Sequence, residues 1–519
     1  MWCEQKPPIS AIWSTGLTKA NGVLDAARCV HLALFITLIA STSGGLQASE
    51  TPPNIVIILA DDLGWNDVGY HDSEILTPHI DQLAAEGLVL ERFYAQTSCT
   101  PTRAALLTGK SPQALGIYSP FSKHIATGLP LSEKLLPEYL RGLGYQTAMV
   151  GKWHLGFRQP EFHPLARGFE HFYGNLTGGI GYWDHVHGGG LDWQRNGVTV
   201  REAGYATHLS IDEIERLISD RDPTKPLFLY AAFNAPHLPN EAPADAVAGY
   251  SHIEDINRRR HAAMVSELDA AIGRLTASLE REGMLDNTLI WFMSDNGGLN
   301  PSAVSPALVS FSQFLERWFE TPFTPGTLEF IRTNSLDGAS DNAPLRKGKQ
   351  SVYEGGARVP AIIHWPSRLR GREYPQMVTV LDVLPTLLAV ADTSEGERAT
   401  TKAAALAGIN HWPAFAGTSE VAPRGYFTNG MDGEAFYQFP WKLIALKGGD
   451  AELYNIAEDP TEQQDLSDQL PEQLAIMMNE LKGVERGESI HAPLLQSLWD
   501  MDFFGGEEDR VPWSEIDIE

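Results

Sequence analysis

Ser98-Cys99-Thr100-Pro101-Thr102-Arg103 is where reactive residue types crowd together in this 519-residue chain. The chain holds three cysteines, and Cys3 and Cys29 fall in an N-terminal segment that reads as removable. Cys99 is then the lone cysteine of the mature protein. A lone cysteine forms no internal disulfide, so its chemistry is that of a nucleophile or of a modified side chain. A second set is Asp61, Asp62, Asp295 and Asn296. All four donate oxygen, which suits hard cations such as calcium or magnesium. Three carboxylates converging without a cation would repel one another. A third set is Arg103, Lys152, His154, His237 and Lys349. Lys152 and His154 stand two apart and share one face of an extended segment. A divalent cation with Arg, Lys and His around it suits a tetrahedral oxyanion, sulfate or phosphate.

The elements that must bring these sets together are legible as apolar runs. Residues 54–60 (NIVIILA), 146–150 (QTAMV), 227–233 (LFLYAAF) and 288–293 (TLIWFM) read as strands buried on both faces, as in a parallel sheet. Helical patterns lie between them at 81–87, 103–107 and 261–283, the last stopped by Gly283. Strand–helix alternation predicts an α/β sheet covered on both faces. Such sheets bind ligands beyond the carboxyl ends of their strands. Asp61-Asp62, Lys152-Trp153-His154, His237 and Asp295-Asn296 each follow one of these four strands.

Residues 1–49 read as an export leader with a long lead. The apolar run 32–40 (LALFITLIA) is shorter than the ~20 residues of a spanning helix, and small residues follow it. The mature protein is expected in the periplasm or outside the cell, without stable membrane insertion. The net charge of −27 argues against nucleic acid as a partner. Residues 50–375 read as the catalytic domain, with 299–341 an insertion on its active face. Residues 376–519 read as a smaller domain opening with an amphipathic helix over 377–390, containing a strand at 441–446, and ending in an acidic, aromatic tail.

Cys99-Thr100-Pro101-Thr102-Arg103 resembles the Cys-x-Pro-x-Arg signature of type I sulfatases. Further blocks follow in the family's order. They are Gly151-Lys152-Trp153-His154-Leu155-Gly156, Ala235-Pro236-His237, Ser294-Asp295-Asn296-Gly297-Gly298, and Lys349 with Glu354-Gly355-Gly356-Ala357-Arg358. Leu453-Tyr454-Asn455 with Asp459-Pro460 and Glu462 resembles the C-terminal motif. The likeness covers roughly 52–470. It is nearest to arylsulfatase B-like N-acetylgalactosamine-4-sulfatases and bacterial polysaccharide sulfatases. Thr102, where serine is commoner, and the 299–341 insertion depart from the pattern.

The resemblance implies an alkaline phosphatase-like α/β fold with a large, mostly parallel sheet and a smaller C-terminal α+β subdomain. It implies that a maturation enzyme oxidises Cys99 to Cα-formylglycine (3-oxoalanine). It makes Asp61, Asp62, residue 99, Asp295 and Asn296 the ligands of Ca2+, or of Mg2+. The hydrated aldehyde would attack sulfur through one hydroxyl, with Arg103, Lys152 and Lys349 neutralising the charge that develops. His237, with Lys349, would protonate the leaving alcohol. His154 would deprotonate the second hydroxyl and so expel sulfate. The expected substrate is a sulfated carbohydrate, as in polysaccharide degradation. Arg167, Trp183, His185 and His187 are candidate sugar contacts, since aromatics stack on sugar rings and Arg or His bind hydroxyls or carboxylates. A phosphodiesterase or phosphonate monoester hydrolase of the same fold is the alternative. A non-catalytic binding protein is disfavoured, because every expected reactive position is filled.

Overall fold

The strand Asn54–Ala60 shows how one run builds two layers. In a computed structural model describing residues 52–121, 127–187, 190–300, 337–392, 406–422 and 424–491, it is the middle of the sheet. Successive side chains on a strand point to opposite faces. Accordingly Ile55, Ile57 and Leu59 enter one apolar cluster, and Val56, Ile58 and Ala60 enter the other. The leader reading, nearly all of the 299–341 insertion and the end of the acidic tail lie outside the described residues.

Asn54–Ala60 pairs in parallel with Thr288–Ser294 on one side and Leu227–Ala232 on the other. Gln146–Gly151 and His171–Gly174 continue the parallel order, and a short antiparallel ribbon, Gln194–Arg195 and Val198–Thr199, closes that edge. On the other side Ala361–His364 runs antiparallel to Thr288–Ser294 and to Leu88–Tyr94. Helix Ile256–Arg281 contributes to one cluster and helix Cys99–Thr108 to the other, so helices cover both faces. The architecture is the mostly parallel, helix-flanked sheet expected of the sequence. Among the described residues no helix is long and apolar enough to cross a membrane.

One expected helix starts later. Met377, Val378 and Thr379 pair with Arg92, Phe93 and Tyr94, as the end of the edge strand Arg372–Thr379. The Asp382 carboxylate accepts from Thr379 N and Oγ1 at 2.7 and 2.9 Å, and the helix runs only over Val383–Ala391. The stretch 378–384, apolar but for Thr379 and Asp382, fits either period, so the pattern alone does not place the join. A division at 375/376 therefore cuts a strand of the main sheet.

The C-terminal sheet is Tyr426–Asn429, Gly433–Gln438, Trp441–Leu446 and Ala451–Asn455, all antiparallel. Phe427, Phe436, Leu443 and Leu453 pack on Met477 and Leu481 of helix Pro471–Lys482. Its other face sends Tyr426, Ala435, Tyr437, Ile444 and Tyr454 into the main core. The start of the tail then lies on the main domain, with Gly487 N and Ile490 N donating to Gln113 O and Gly116 O.

Candidate active site

Asp61 and Asp62 leave the central strand as Asp295 leaves its neighbour. Sheet pairing holds them together, since Asp295 N donates to Ala60 O at 3.0 Å and Asp62 N to Asp295 Oδ1 at 3.2 Å. Lys152 and His154 follow the next strand but one, and His237 closes the turn after Leu227–Ala232. Cys99 is the first residue of helix Cys99–Thr108, all of whose side chains are buried. It thus sits where main-chain N–H groups and the helix dipole favour negative charge. Its Sγ lies 3.5 Å from Asp61 Oδ1 and 3.9 Å from Asp62 Oδ1. Ligand atoms of Asp61, Asp62, Cys99 and His237 all fall within 4.8 Å of one another.

The cations sit on these carboxylates. Lys152 Nζ is 2.6 Å from Asp61 Oδ2 and Lys349 Nζ is 2.7 Å from Asp62 Oδ2. Arg103 donates from Nε and Nη2 to Asp295 Oδ2 at 3.0 and 2.8 Å, and from Nη1 to Lys152 O at 2.6 Å. Asp61, Arg103, Lys152 and Asp295 are fully buried, and buried charges persist only when paired. Burial pushes the Asp62 carboxyl up, but Lys349, His237 and Lys152 outweigh it and hold the group below its ordinary value. Burial, then the Asp61 charge, raises Asp295 to about 6. Burial, then Asp295, drives the Cys99 thiol far up, so as a thiol it is a poor nucleophile. Burial, then Lys349, lowers His237 to about 3.

Asn296 bears on whether a cation fits. Its Nδ2 donates to Asp62 Oδ1 at 2.7 Å and to Gly297 O at 2.9 Å. Its Oδ1 is buried with no hydrogen-bond partner. Such an orphan calls for an explanation. A hard cation gathering Asp61, Asp62, Asp295 and Asn296 supplies one, and the donor set fits it.

His154 has a fixed tautomer. Its Nε2 lies 3.0 Å from Phe121 O, which can only accept, so Nε2 carries the hydrogen. Nδ1 is left bare, buried and unpartnered. The loop 177–187 closes over both histidines. A Cβ built on Gly178 would lie 2.6 Å from His154 Cε1, and one on Gly179 2.9 Å from His237 Cε1. Only glycine fits so close to two rings.

The four sugar-contact candidates separate. Arg167 is buried and gives its guanidinium to the carbonyls of Leu129, Pro130 and Glu133, so it is a loop-packing residue. His185 is buried and stacked on Trp193, with ring centroids 4.7 Å apart, and it too is removed from the set. His187 Nδ1 meets Gly179 O at 2.5 Å, beside the two active-site rings. Trp183 is 50% exposed with Tyr205 behind it at 5.2 Å. The adjacent Tyr182 hydroxyl reaches the carbonyls of Asn234 and His237 at 2.8 and 2.9 Å.

Sequence reasoning missed Asp67. Its buried carboxylate accepts from Gly64 N, Asp341 N, Arg258 Nη1 and His261 Nε2, fixing the turn after Asp62. The expected helix began at 261, which left Arg258 outside it, and nothing in the spacing of His261 marked it as a buried partner. The Phe121 carbonyl has no side-chain signal at all.

Residues 53–393 match the family model described as Sulfatase. Arylsulfatase J of Mus musculus is 37% identical over 66% of this chain and 53% of its own length. N-acetylgalactosamine-6-sulfatase of Sus scrofa is 33% identical over 69% of this chain and 66% of its own length. The chain thus spans about half to two thirds of these relatives. The crystal structure of Ps i-CgsB in complex with k-i-k-neocarrahexaose is similar with a TM-score of 0.73 and 29% identity, over 88% of this chain and 99% of that one. With matched blocks, fold and strand-end geometry in agreement, the chain belongs to the sulfatase family.

Proposed function

We propose that this protein is an exported sulfuric ester hydrolase that cleaves sulfate from a carbohydrate, with a formylglycine made from Cys99 by a maturation enzyme and a divalent cation, calcium or magnesium. The convergence of Cys99 with Asp61 and Asp62, whose other oxygens are held by Lys152 and Lys349, carries this reading. When bound, a cation held by Asp61, Asp62, Asp295 and Asn296 supplies Lewis acidity and neutralises charge. The oxidised side chain, hydrated, supplies one hydroxyl to attack sulfur and a second whose deprotonation releases sulfate.

The other residues work around that pair. Arg103, Lys152, Lys349 and the N-terminus of helix Cys99–Thr108 offset negative charge on the sulfuryl oxygens. Lys349, whose Nζ is held charged 2.7 Å from Asp62 Oδ2, supplies the proton for the departing alcohol, and His237 beside it, with Nε2 3.6 Å from the same oxygen and Nδ1 on the Leu238 carbonyl, helps to position it. The bare Nδ1 of His154 takes the proton of the second hydroxyl. Trp183 and His187, on the loop over these rings, contact the sugar.

Sulfate release from sulfated oligosaccharides, run beside aryl sulfate and aryl phosphate esters, tests this. Sulfate ester turnover is expected to dominate and to vanish in Cys99→Ala. Dominant phosphate turnover, or activity retained in Cys99→Ala, defeats the proposal. In the same assay Trp183→Ala should raise KM for the oligosaccharide and leave the aryl sulfate unchanged. Equal effects on both would remove Trp183 from the sugar site.

A further inference from the structure

Lys349 is carried by a stretch with little regular structure of its own. Between Leu345 and Arg358 the one helix is the single turn Glu354–Ala357. Lys349 is tied to the main domain at two points, Nζ to Asp62 and backbone N to Gly298 O at 3.1 Å. Much of the remaining anchorage comes from the C-terminal subdomain. Asp432, in the turn before Gly433–Gln438, accepts from Val352 N at 3.0 Å, Ser351 Oγ at 2.6 Å and Lys347 Nζ at 3.0 Å. Met431 N donates to Gln350 O at 2.7 Å.

A further tie is a wholly buried ion cluster. Lys442, on strand Trp441–Leu446, places Nζ 3.0 Å from Glu354 Oε1 and 2.6 Å from Glu462 Oε1. The side chains of Lys442, Glu354 and Glu462 have no exposure. Glu462 Oε2 accepts from Glu354 N at 2.8 Å, and Tyr94 OH donates to Glu354 Oε2 at 2.8 Å. One residue further on, Gly355 N donates to Arg346 O at 2.9 Å, which closes the loop bearing Lys349. Lys442 is the cation between two buried carboxylates, and buried like charges without it repel strongly.

We infer that Lys442 is a positioning residue for Lys349: through Glu354 and Glu462 the C-terminal sheet sets where the Lys349 ammonium stands over Asp62. The activity arm of the test rests on the sulfatase reading, and the exchange arm does not. Lys442→Met keeps the stem and removes the charge. Hydrogen exchange read by mass spectrometry should then speed up in peptides covering 345–358, by tenfold or more, and stay unchanged in helix Ile256–Arg281, on the opposite face of the sheet. Adding Glu462→Gln removes one buried anion along with the cation and should restore part of the protection. With an aryl sulfate, Lys442→Met should lower kcat by about 10- to 100-fold, the scale of a misplacement near 1 Å, with little change in KM. In a Lys349→Ala background the same change should cost no more than about twofold, because the group being positioned is gone.

Unchanged exchange over 345–358, or a full and additive loss of kcat in the Lys349→Ala background, overturns the inference. Should Lys442→Met not fold, Asp432→Asn takes both arms, with the same results expected in smaller measure. Faster exchange over 345–358 in a protein with no turnover of any sulfate ester would keep the positioning role and defeat the sulfatase reading instead.

Discussion

Asn296 has two polar ends, and hydrogen bonds satisfy one of them. Its amide nitrogen serves Asp62 and Gly297, while its oxygen is buried without a partner. If that oxygen holds a cation, binding stabilises the fold by mass action, about 2.7 kcal/mol at a hundredfold excess over Kd. Calcium should then raise Tm of the native protein. Asn296→Ala should move the calcium midpoint upward by about tenfold, the worth of one charge-assisted contact. Identical calcium titrations by differential scanning fluorimetry would contradict the ligand assignment. At this scale the sequence was legible as to proximity for Asp61, Asp62, Cys99, Arg103, Lys152, His154, His237, Asp295, Asn296 and Lys349. Nine of them are linked by direct contacts in one buried network, and His154 follows Lys152 by two residues beside it. It was illegible for Arg167 and His185, because a side chain's type does not reveal whether it points into a cleft or into packing.

Strands made of short apolar runs announced themselves, and their carboxyl ends placed four clusters without further information. Elements defined by main-chain turns did not. The turn Pro164–Arg167 is one, and its entry is held by His163. His163 Nδ1 accepts from Leu165 N at 3.2 Å, and Nε2 donates to Gln194 Oε1 at 2.8 Å. Burial lowers this imidazole from 6.5 to about 4, and Gln194 offsets that only in part. The folded state therefore binds fewer protons than the unfolded chain between those values. Its contribution is intact above pH 6.5 and is lost as pH falls toward 4, up to about 3 kcal/mol at 1.36 kcal/mol per unit. Thermal unfolding followed from pH 7 to 4 should show that decline. His163→Asn, which can still accept from Leu165 N, should flatten it, and an unflattened slope would assign the loss to other groups. The late start of helix Val383–Ala391 has the same origin, since the Asp382 cap and the pairing with Arg92–Tyr94 are long-range facts that local periodicity cannot carry.

At the scale of the whole molecule the net charge of −27 meets a proposed substrate that is itself a polyanion. Long-range repulsion should slow encounter at low salt and fade as the Debye length shrinks to about 10 Å at 0.1 M. The kcat/KM for a sulfated polysaccharide should therefore rise several-fold between low and physiological ionic strength, while that for a small aryl sulfate barely moves. A fall with salt would reveal a basic approach surface instead. The division of labour between main and C-terminal sheets was legible only as a suspected smaller domain. Its contribution to the Lys349 loop depends on Asp432 and Lys442, which no local spacing marks. The proposed catalysis turns on the oxidation state of one side chain. Mass spectrometry of the tryptic peptide spanning residues 93–103, taken from active protein made in its native host, should find residue 99 with an aldehyde oxygen in place of the thiol, in a fraction that tracks specific activity. Fully active protein carrying an intact thiol at residue 99 would contradict it.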